Sequence, residues 1–442
     1  MSVPITAELL PPLKLLPALN VGTHKLRHQV PHPSAAAATL PIHNDPQFRR
    51  LWATGMLGSL IRWLEILAFG VFTYDHTRSA FWVASLMMLR MLPLALFGLA
   101  AGAMAARISR RTGLLVSHAA LLLTTLVLLV ISSIGAIEVW HLGAASFVNG
   151  IAWAGDMPMR RALMGDISGP PRMAHAMALD AVAANGCRLA GPGLGGLLLA
   201  TGGLTTVFAF TAILYVLVLA ALVSLYDRRA AGTPPKTAIR SLLVGGFQAA
   251  RESPRLLAAL WVTIVFNLFA WPVLSMVPVV GQAQLHLSTQ GIGLLASMDG
   301  VGALLGAIVL ISQSRRLRHG HLYIGCLVLF LTMQLIFAWS AQPLLTGLAL
   351  LAMGIGQSGF AVMQTTLVFL SAPPDRRFEA MGLLTMCIGI SPLGFLAVGW
   401  LAERLGAPTA AMICALSGLA SLLLSWPVWR ACLQDASATR AP

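Results

Sequence analysis

The chain reads as an all-α membrane protein of twelve transmembrane helices in two six-helix bundles. Three observations predict this. Of its 442 residues 57% are hydrophobic and only 10% are charged, with a mean hydropathy of +0.80. A soluble domain carries about 25% charged residues, so this chain has too little polar surface to cover itself in water. Apolar runs of about 20 residues, the length that crosses a bilayer, recur along it, and twelve of them with short loops use most of its length. Basic residues then fall in alternate loops, the positive-inside pattern.

Residues 1–47 stand apart. They are rich in Pro, Ala and His (PPLKLLP, HQVPHPSAAAATLP), hold no spanning run and lack the ordered regions of a signal peptide. A flexible cytoplasmic tail is expected. His24, His28, His32 and His43 sit in Pro-rich spacing that fixes no geometry, so neither a metal nor another cofactor is expected.

The N-terminal bundle is expected over 48–226. Its first span, 51–73, follows Arg49 and Arg50 and carries Arg62 and Glu65, three apart and so on one helix face. The second, 80–106, carries Arg90 and Pro93. Gly98 and Gly102 are four apart on it, a spacing that lets a neighbouring helix come close. Arg107, Arg110 and Arg111 then mark a short cytoplasmic loop. Spans follow at 114–136, at 139–159 (running into WAGDMPMRRALMGD), at 174–201 with Asn185, Arg188 and GPGLGG, and at 204–226.

Residues 227–256 form a basic, proline-bearing central loop on the cytoplasmic side, in which Ser241–Ala250 reads as a short helix on the membrane surface. The C-terminal bundle, 257–430, holds spans at 257–280, 290–313, 322–340, 344–371, 379–402 and 408–430, and 431–442 reads as a cytoplasmic tail. Pro272, after Trp271, is expected to kink the seventh span by removing a helix hydrogen bond. The halves echo each other. Gly102-Ala103 leads to Arg110-Arg111 as Gly306-Ala307 leads to Arg315-Arg316, and Gly191-Pro192 matches Ser391-Pro392. Repeated halves suit two bundles that rock about a site near the bilayer midplane.

The run from Gly102 to Arg111, GAMAARISRR, resembles the G-x-x-x-D-R-x-x-R-R signature of the major facilitator superfamily, with Ala106 in place of the aspartate that helps latch the cytoplasmic gate. Over about 48–430 the chain is similar to a bacterial exporter branch of that superfamily, which includes the enterobactin exporter and drug and siderophore efflux permeases. FRRLWATGMLGSLIRWLEILA resembles its first helix, although Ile61–Arg62 replaces a usual Gly-Asp. Asp156-Met157-Pro158-Met159-Arg160 resembles D-x-P-A-R, Arg188 to Pro192 resembles R-x-x-G-P, and Pro374-Asp375 through Met381-Gly382, with SPLGFLAVGWLAERLG after it, resembles the tenth loop and eleventh helix. The resemblance implies the major facilitator fold, gate or structural roles for Gly102, Arg107, Arg110, Arg111, Asp156, Arg160, Gly191 and Pro192, and, through the Gly-Pro run of helix five, export.

A charge at mid-membrane is costly unless paired or hydrated, which makes each one a functional candidate. Arg62, Glu65, Arg90, Arg188 and Asp299 are those charges. Glu65 is the favoured proton carrier, because alternating access would change its surroundings between those suiting its protonated and its ionised form. Arg90 or Arg188 supplies a partner or holds an anionic substrate group. An Arg62–Glu65 or Glu65–Arg90 pair that only fixes packing is the plainer alternative. Asp299 is either a substrate contact or a partner for an arginine across the bundle. Asn185, Asn267, Gln334, Gln357 and Gln364 line the cavity or bond helix to helix, and Trp63, Trp153, Phe266 and Trp271 stack on substrate or pack.

Several classes are excluded or disfavoured. The net charge of +14 lies in alternate loops rather than on a nucleic-acid-binding face. The GxGxxG at Gly191, Gly193 and Gly196 sits inside an apolar span with no strand before it. No GxxxxGK, HExxH or GxSxG occurs, and five cysteines without CxxC read as small packing residues, so no enzyme is expected. The expectation is a monomeric inner-membrane secondary transporter with both termini cytoplasmic, whose partners are a small-molecule substrate, protons and the lipid bilayer. Proton-coupled export of a small amphipathic molecule such as a siderophore or drug leads. A proton-coupled importer and a non-transporting sensor or scaffold are the rivals.

Overall fold

A computed structural model describes residues 42–105, 109–226, 239–313 and 318–433. Among them helices predominate and no strand occurs. Ten helical stretches are long and apolar enough to cross a membrane. One of these, α4 (Val139–Val223), is 85 residues long and leaves helical geometry at Gly169 and at Gly202–Gly203, so it folds into three limbs, 139–168, 170–201 and 204–223. Twelve membrane-length segments result among the described residues, as the hydropathy pattern predicts.

The breaks are chemical. Gly169 and Gly203 have φ of 66° and 64°, a region open to glycine at no steric cost. Pro170 and Pro171 follow Gly169 and restart the helix, since a first-turn proline loses no bond it would have made.

The remaining helices are α1 (Pro46–Thr77), α2 (Ala80–Ala105), α3 (Arg110–Ser133), α5 (Ile239–Glu252), α6 (Pro254–Val265), α7 (Val277–Ala283), α8 (Thr289–Gln313), α9 (His319–Trp339), α10 (Pro343–Ser371), α11 (Arg377–Ile388), α12 (Ser391–Leu405), α13 (Ala407–Leu424) and α14 (Trp426–Trp429). A short helix is present at the expected place, as α5. The first helix starts earlier than hydropathy alone places it. Asp45 caps it, its carboxylate accepting from the Gln47 N–H at 3.0 Å, and Ile42 is buried beside Phe48 and Leu51. The last residues of the segment expected to be tail are therefore packed.

The seventh span, Pro254–Ala283, is the least regular. Between α6 and α7 the backbone widens into a π-helix at Phe266–Ala270 and tightens into a 3-10 helix at Trp271–Met276. Pro272 has no N–H to give the Leu268 carbonyl, which is the expected kink. Gly394 of α12 packs there, where a Cβ would meet the Asn267 and Leu268 carbonyls at 2.8 Å.

The two ends of the bundle differ. The turns at 78–79, 134–138, 202–203, 284–288, 340–342 and 406 lie at one end, which is poor in arginine, and the described turns at 169 and 372–376 lie at the other. Several contacts join the halves at the arginine-poor end. The Gln282 amide donates to Asp75, and Glu403 accepts from the Ser79 hydroxyl at 2.9 Å and the Phe81 N–H at 3.3 Å. The second limb of α4 crosses α8 glycine on glycine: a Cβ on Gly293 would lie 2.7 Å from the Pro192 carbonyl and 3.1 Å from the Gly196 Cα. Without water to drive helices together, such small-residue contacts set how closely membrane helices approach.

Candidate functional site: a charged cavity between the halves

A central cavity of about 150 Å³ lies between the halves. From the first half Arg62, Trp63, Met87, Arg90, Trp153 and Arg188 line it; from the second, Trp271, Phe395 and Asp299. A second, more polar cavity of about 560 Å³ shares Arg62, Arg90 and Trp153 with it, and adds His118, Asp156, Arg160, Arg161, Asp180, Asn185 and Tyr215 from the first half and Ala361 from the second.

Glu65 and Arg90 are both buried. An Arg90 Nη lies 3.6 Å from Glu65 Oε2, an ion pair too long for a good hydrogen bond, and Oε2 has no hydrogen-bond partner. Arg90 faces both cavities and Glu65 lines neither, so the carboxylate sits behind the guanidinium. Of the two pairings open in the sequence, Glu65 takes Arg90.

Arg188 and Asp299 join the halves across the α4–α8 crossing. The Arg188 Nε donates to Asp299 Oδ2 at 2.6 Å, its Nη donates to Gln357, and its guanidinium lies 5.1 Å from the centre of the Trp63 ring. The other Asp299 oxygen is buried without a partner. Gly300 makes room: a Cβ there would strike the backbone of Arg188 and Leu189. Gly191 does the same against α1, where a Cβ would lie 2.6 Å from the Trp63 Cβ.

Arg62 makes neither pair. Its guanidinium stands over the Trp153 ring at 5.0 Å, within cation–π range. Asp156 lies 3.9 Å from both His118 Nε2 and Arg160 Nε, and Arg160 also bonds to Asp180. Arg160 lies across Gly55 of α1, where any Cβ would collide with its guanidinium.

The loop signature is only partly described. Gly102 lies in the last turns of α2, and Arg107 falls outside the described residues. Arg110 pairs with Asp166 of α4. Arg111 donates through Nε to the Leu222 carbonyl at 3.1 Å and through Nη to Val223, satisfying the end of the third limb of α4, where a cation suits the helix dipole.

The polar and aromatic candidates within the spans are placed as follows. Asn267 is not among the residues lining the two cavities described: it lies in the π-helix, buried, with its amide donating to the Thr263 carbonyl at 2.9 Å. Phe266 beside it stacks on Phe360 at 4.1 Å and is a packing residue. Asn185 lines the polar cavity but turns its amide to Ala181 in its own helix. Gln334 and Gln364 bond helix to helix, to the Phe269 and Ala411 carbonyls and to the Thr263 hydroxyl. Sequence reasoning passed over Asp180, His118, Tyr215 and Glu403. A lone acid in an apolar run was the available signal for Asp180; nothing in the sequence marks Glu403 as the partner of Ser79 and Phe81.

Comparison with known proteins agrees with this architecture. The sequence profile of a family described as transmembrane secretion effector matches residues 36–439. The chain is 25% identical over 396 residues to YfiS, an uncharacterized MFS-type transporter of Bacillus subtilis (strain 168), covering 84% of this chain and 90% of that one. Its fold is similar to a POT family transporter in complex with 5-aminolevulinic acid (TM-score 0.71, 12% identity, 88% of this chain and 96% of that one). It is also similar to the nucleoside transporter NupG (TM-score 0.68, 13% identity, 87% and 99%). A third likeness is to an inward-facing bacterial homologue of the human lysosomal transporter Spinster (TM-score 0.65, 14% identity, 88% and 97%). At these identities the likeness is one of fold.

Proposed function

We propose, from the premise that this chain belongs to the transmembrane secretion effector family of MFS-type transporters, that it is a proton-coupled exporter of a small amphipathic molecule. The family description favours secretion. The positive-inside distribution of arginine supports an inner-membrane protein with both termini cytoplasmic. In that orientation the contacts between halves close the outer side, and the polar cavity belongs to the inner one. Two six-helix halves joined by the 227–256 segment then rock about the central cavity.

The observation that carries the coupling is the buried Glu65 behind Arg90. Ionised Glu65 holds Arg90 at the cavity wall; a proton on Glu65 cancels that hold, Arg90 leaves the wall and the substrate is given up, so proton and substrate occupy the site by turns. A carboxylate whose ionisation sets where a cavity-lining cation points links proton movement to substrate binding. Arg188–Asp299, which ties α4 to α8, has to part when the halves separate on the outer side.

The test is efflux in cells lacking their own exporters, wild type against Glu65→Gln, across siderophores and lipophilic compounds. Lower accumulation of a compound by wild type, abolished in Glu65→Gln at equal protein in the membrane, is the expected result. Normal efflux by Glu65→Gln makes the pair structural, and higher accumulation by wild type makes the protein an importer.

A further inference from the structure

We propose that Arg62 is the receptor for a single negative charge on the substrate, so that the cavity takes an amphipathic organic monoanion with an aromatic or other flat apolar body. The proposal rests on the central cavity being the substrate site. Three arginines line that cavity. Arg90 is held by Glu65 and Arg188 by Asp299. Arg62 has no carboxylate within ion-pair distance and no hydrogen bond among the described residues. Its contact is with the face of Trp153, Asp156 and Tyr215 attract it only at longer range, and none of the five N–H donors of the guanidinium has an acceptor among the described residues.

With Glu65 and Asp299 counted as ionised, the cluster holds three cations and two anions. One positive charge is left over at membrane depth, where charge is expensive. Arg62 also lines both cavities, so a ligand entering from the larger polar one meets it. A guanidinium offers a planar fork that matches a carboxylate. Around it, Trp63, Trp271 and Phe395, the last two 5.6 Å apart edge to face, and Met87 give the apolar wall that a body needs. Of the acids on the neighbouring limbs of α4, Asp180 is bonded to Arg160; Asp156 stands 3.9 Å from His118 Nε2 and Arg160 Nε and attracts Arg62 only at longer range, without an ion-pair contact.

The experiment uses the full chain in lipid nanodiscs and three probes with one body: 2-naphthoate, 2-naphthamide and 2-naphthylmethylammonium, with binding measured by equilibrium dialysis. Naphthoate is expected to bind at least about tenfold tighter than the other two, a difference of about 1.4 kcal/mol. R62Q is expected to erase that preference and R62K to keep most of it, with gel filtration confirming that both variants fold. Equal binding of the three probes, preference for the ammonium, no binding of naphthoate to the folded wild type, or an undiminished preference in R62Q overturns the proposal. No proton gradient is present, so failed coupling in cells and failed anion binding here are separate results.

Discussion

The crossing of the second α4 limb over α8 makes a quantitative prediction. In Gly293→Ala the new Cβ lies 2.7 Å from the Pro192 carbonyl oxygen, whereas an ordinary non-bonded contact needs about 3.5 Å. The two helices must separate by about 0.8 Å, and both neighbours are backbone, so no side chain can swing aside. Overpacking of this kind costs about 1–3 kcal/mol. The cost falls on the arrangement with the arginine-poor end closed and is relieved when the halves part there. The open population therefore rises about 5- to 150-fold. Val71, buried between α1 and α8 beside Leu67 and Ile292, reports it. With the five native cysteines replaced, Val71→Cys reacts with a soluble maleimide only when the halves part, and when closing is fast the labelling rate tracks the open population. Gly293→Ala should accelerate labelling within that range. An unchanged rate in protein that still elutes as a folded species would refute the idea that this glycine contact holds the end shut.

Other predictions follow from single contacts. Arg188→Gln strands the buried Asp299 and should destabilise the protein by about 3–5 kcal/mol, with Asp299→Asn in the same chain restoring much of it; thermal unfolding in detergent checks both. Glu403→Gln keeps shape but weakens the charge-assisted bonds to Ser79 and Phe81, and should speed Val71→Cys labelling less than Gly293→Ala does. Arg110–Asp166 is part-exposed, so a double-mutant cycle on it should return only about 0–1 kcal/mol. Exchange of one proton inward for one monoanion outward moves two charges, worth about 4.6 kcal/mol per 100 mV at about 2.3 per charge. Valinomycin with potassium should therefore slow export in vesicles, and insensitivity to it would contradict that stoichiometry.

Much of this architecture is legible in the sequence because the bilayer imposes it. A backbone in hydrocarbon must satisfy its own hydrogen bonds, so apolar length and loop charge alone locate the helices. The mid-membrane charges were legible for the same reason: Arg90 and Asp299 could be named from cost alone. Their partners could not. Glu65 lies three residues from Arg62 and on its face, yet it pairs with Arg90 of another helix, a choice made by how α1 and α2 pack. Asn267 could not be assigned from sequence because polarity within a span says nothing of direction; its amide is bonded to the Thr263 carbonyl of its own span. Helix ends were misplaced where capping, as by Asp45, extends a helix into polar sequence that hydropathy discounts.

The seventh span holds a reserve of length. Six residues in 3-10 form rise about 2.0 Å each against about 1.5 Å in an α-helix, and turn about 120° each against about 100°. If Trp271–Met276 relaxed to α geometry, the span would shorten by about 3 Å and its far end would rotate by about 120°. The adjoining π-helix at Phe266–Ala270 has the same hand but is underwound relative to an α-helix where the 3-10 stretch is overwound, so it can absorb part of that rotation. Either exchange trades one set of internal hydrogen bonds for another, so no N–H need be bared to lipid. Helix seven can thus act as a screw whose pitch changes in place, carrying Trp271 around the cavity wall while both of its ends stay moored.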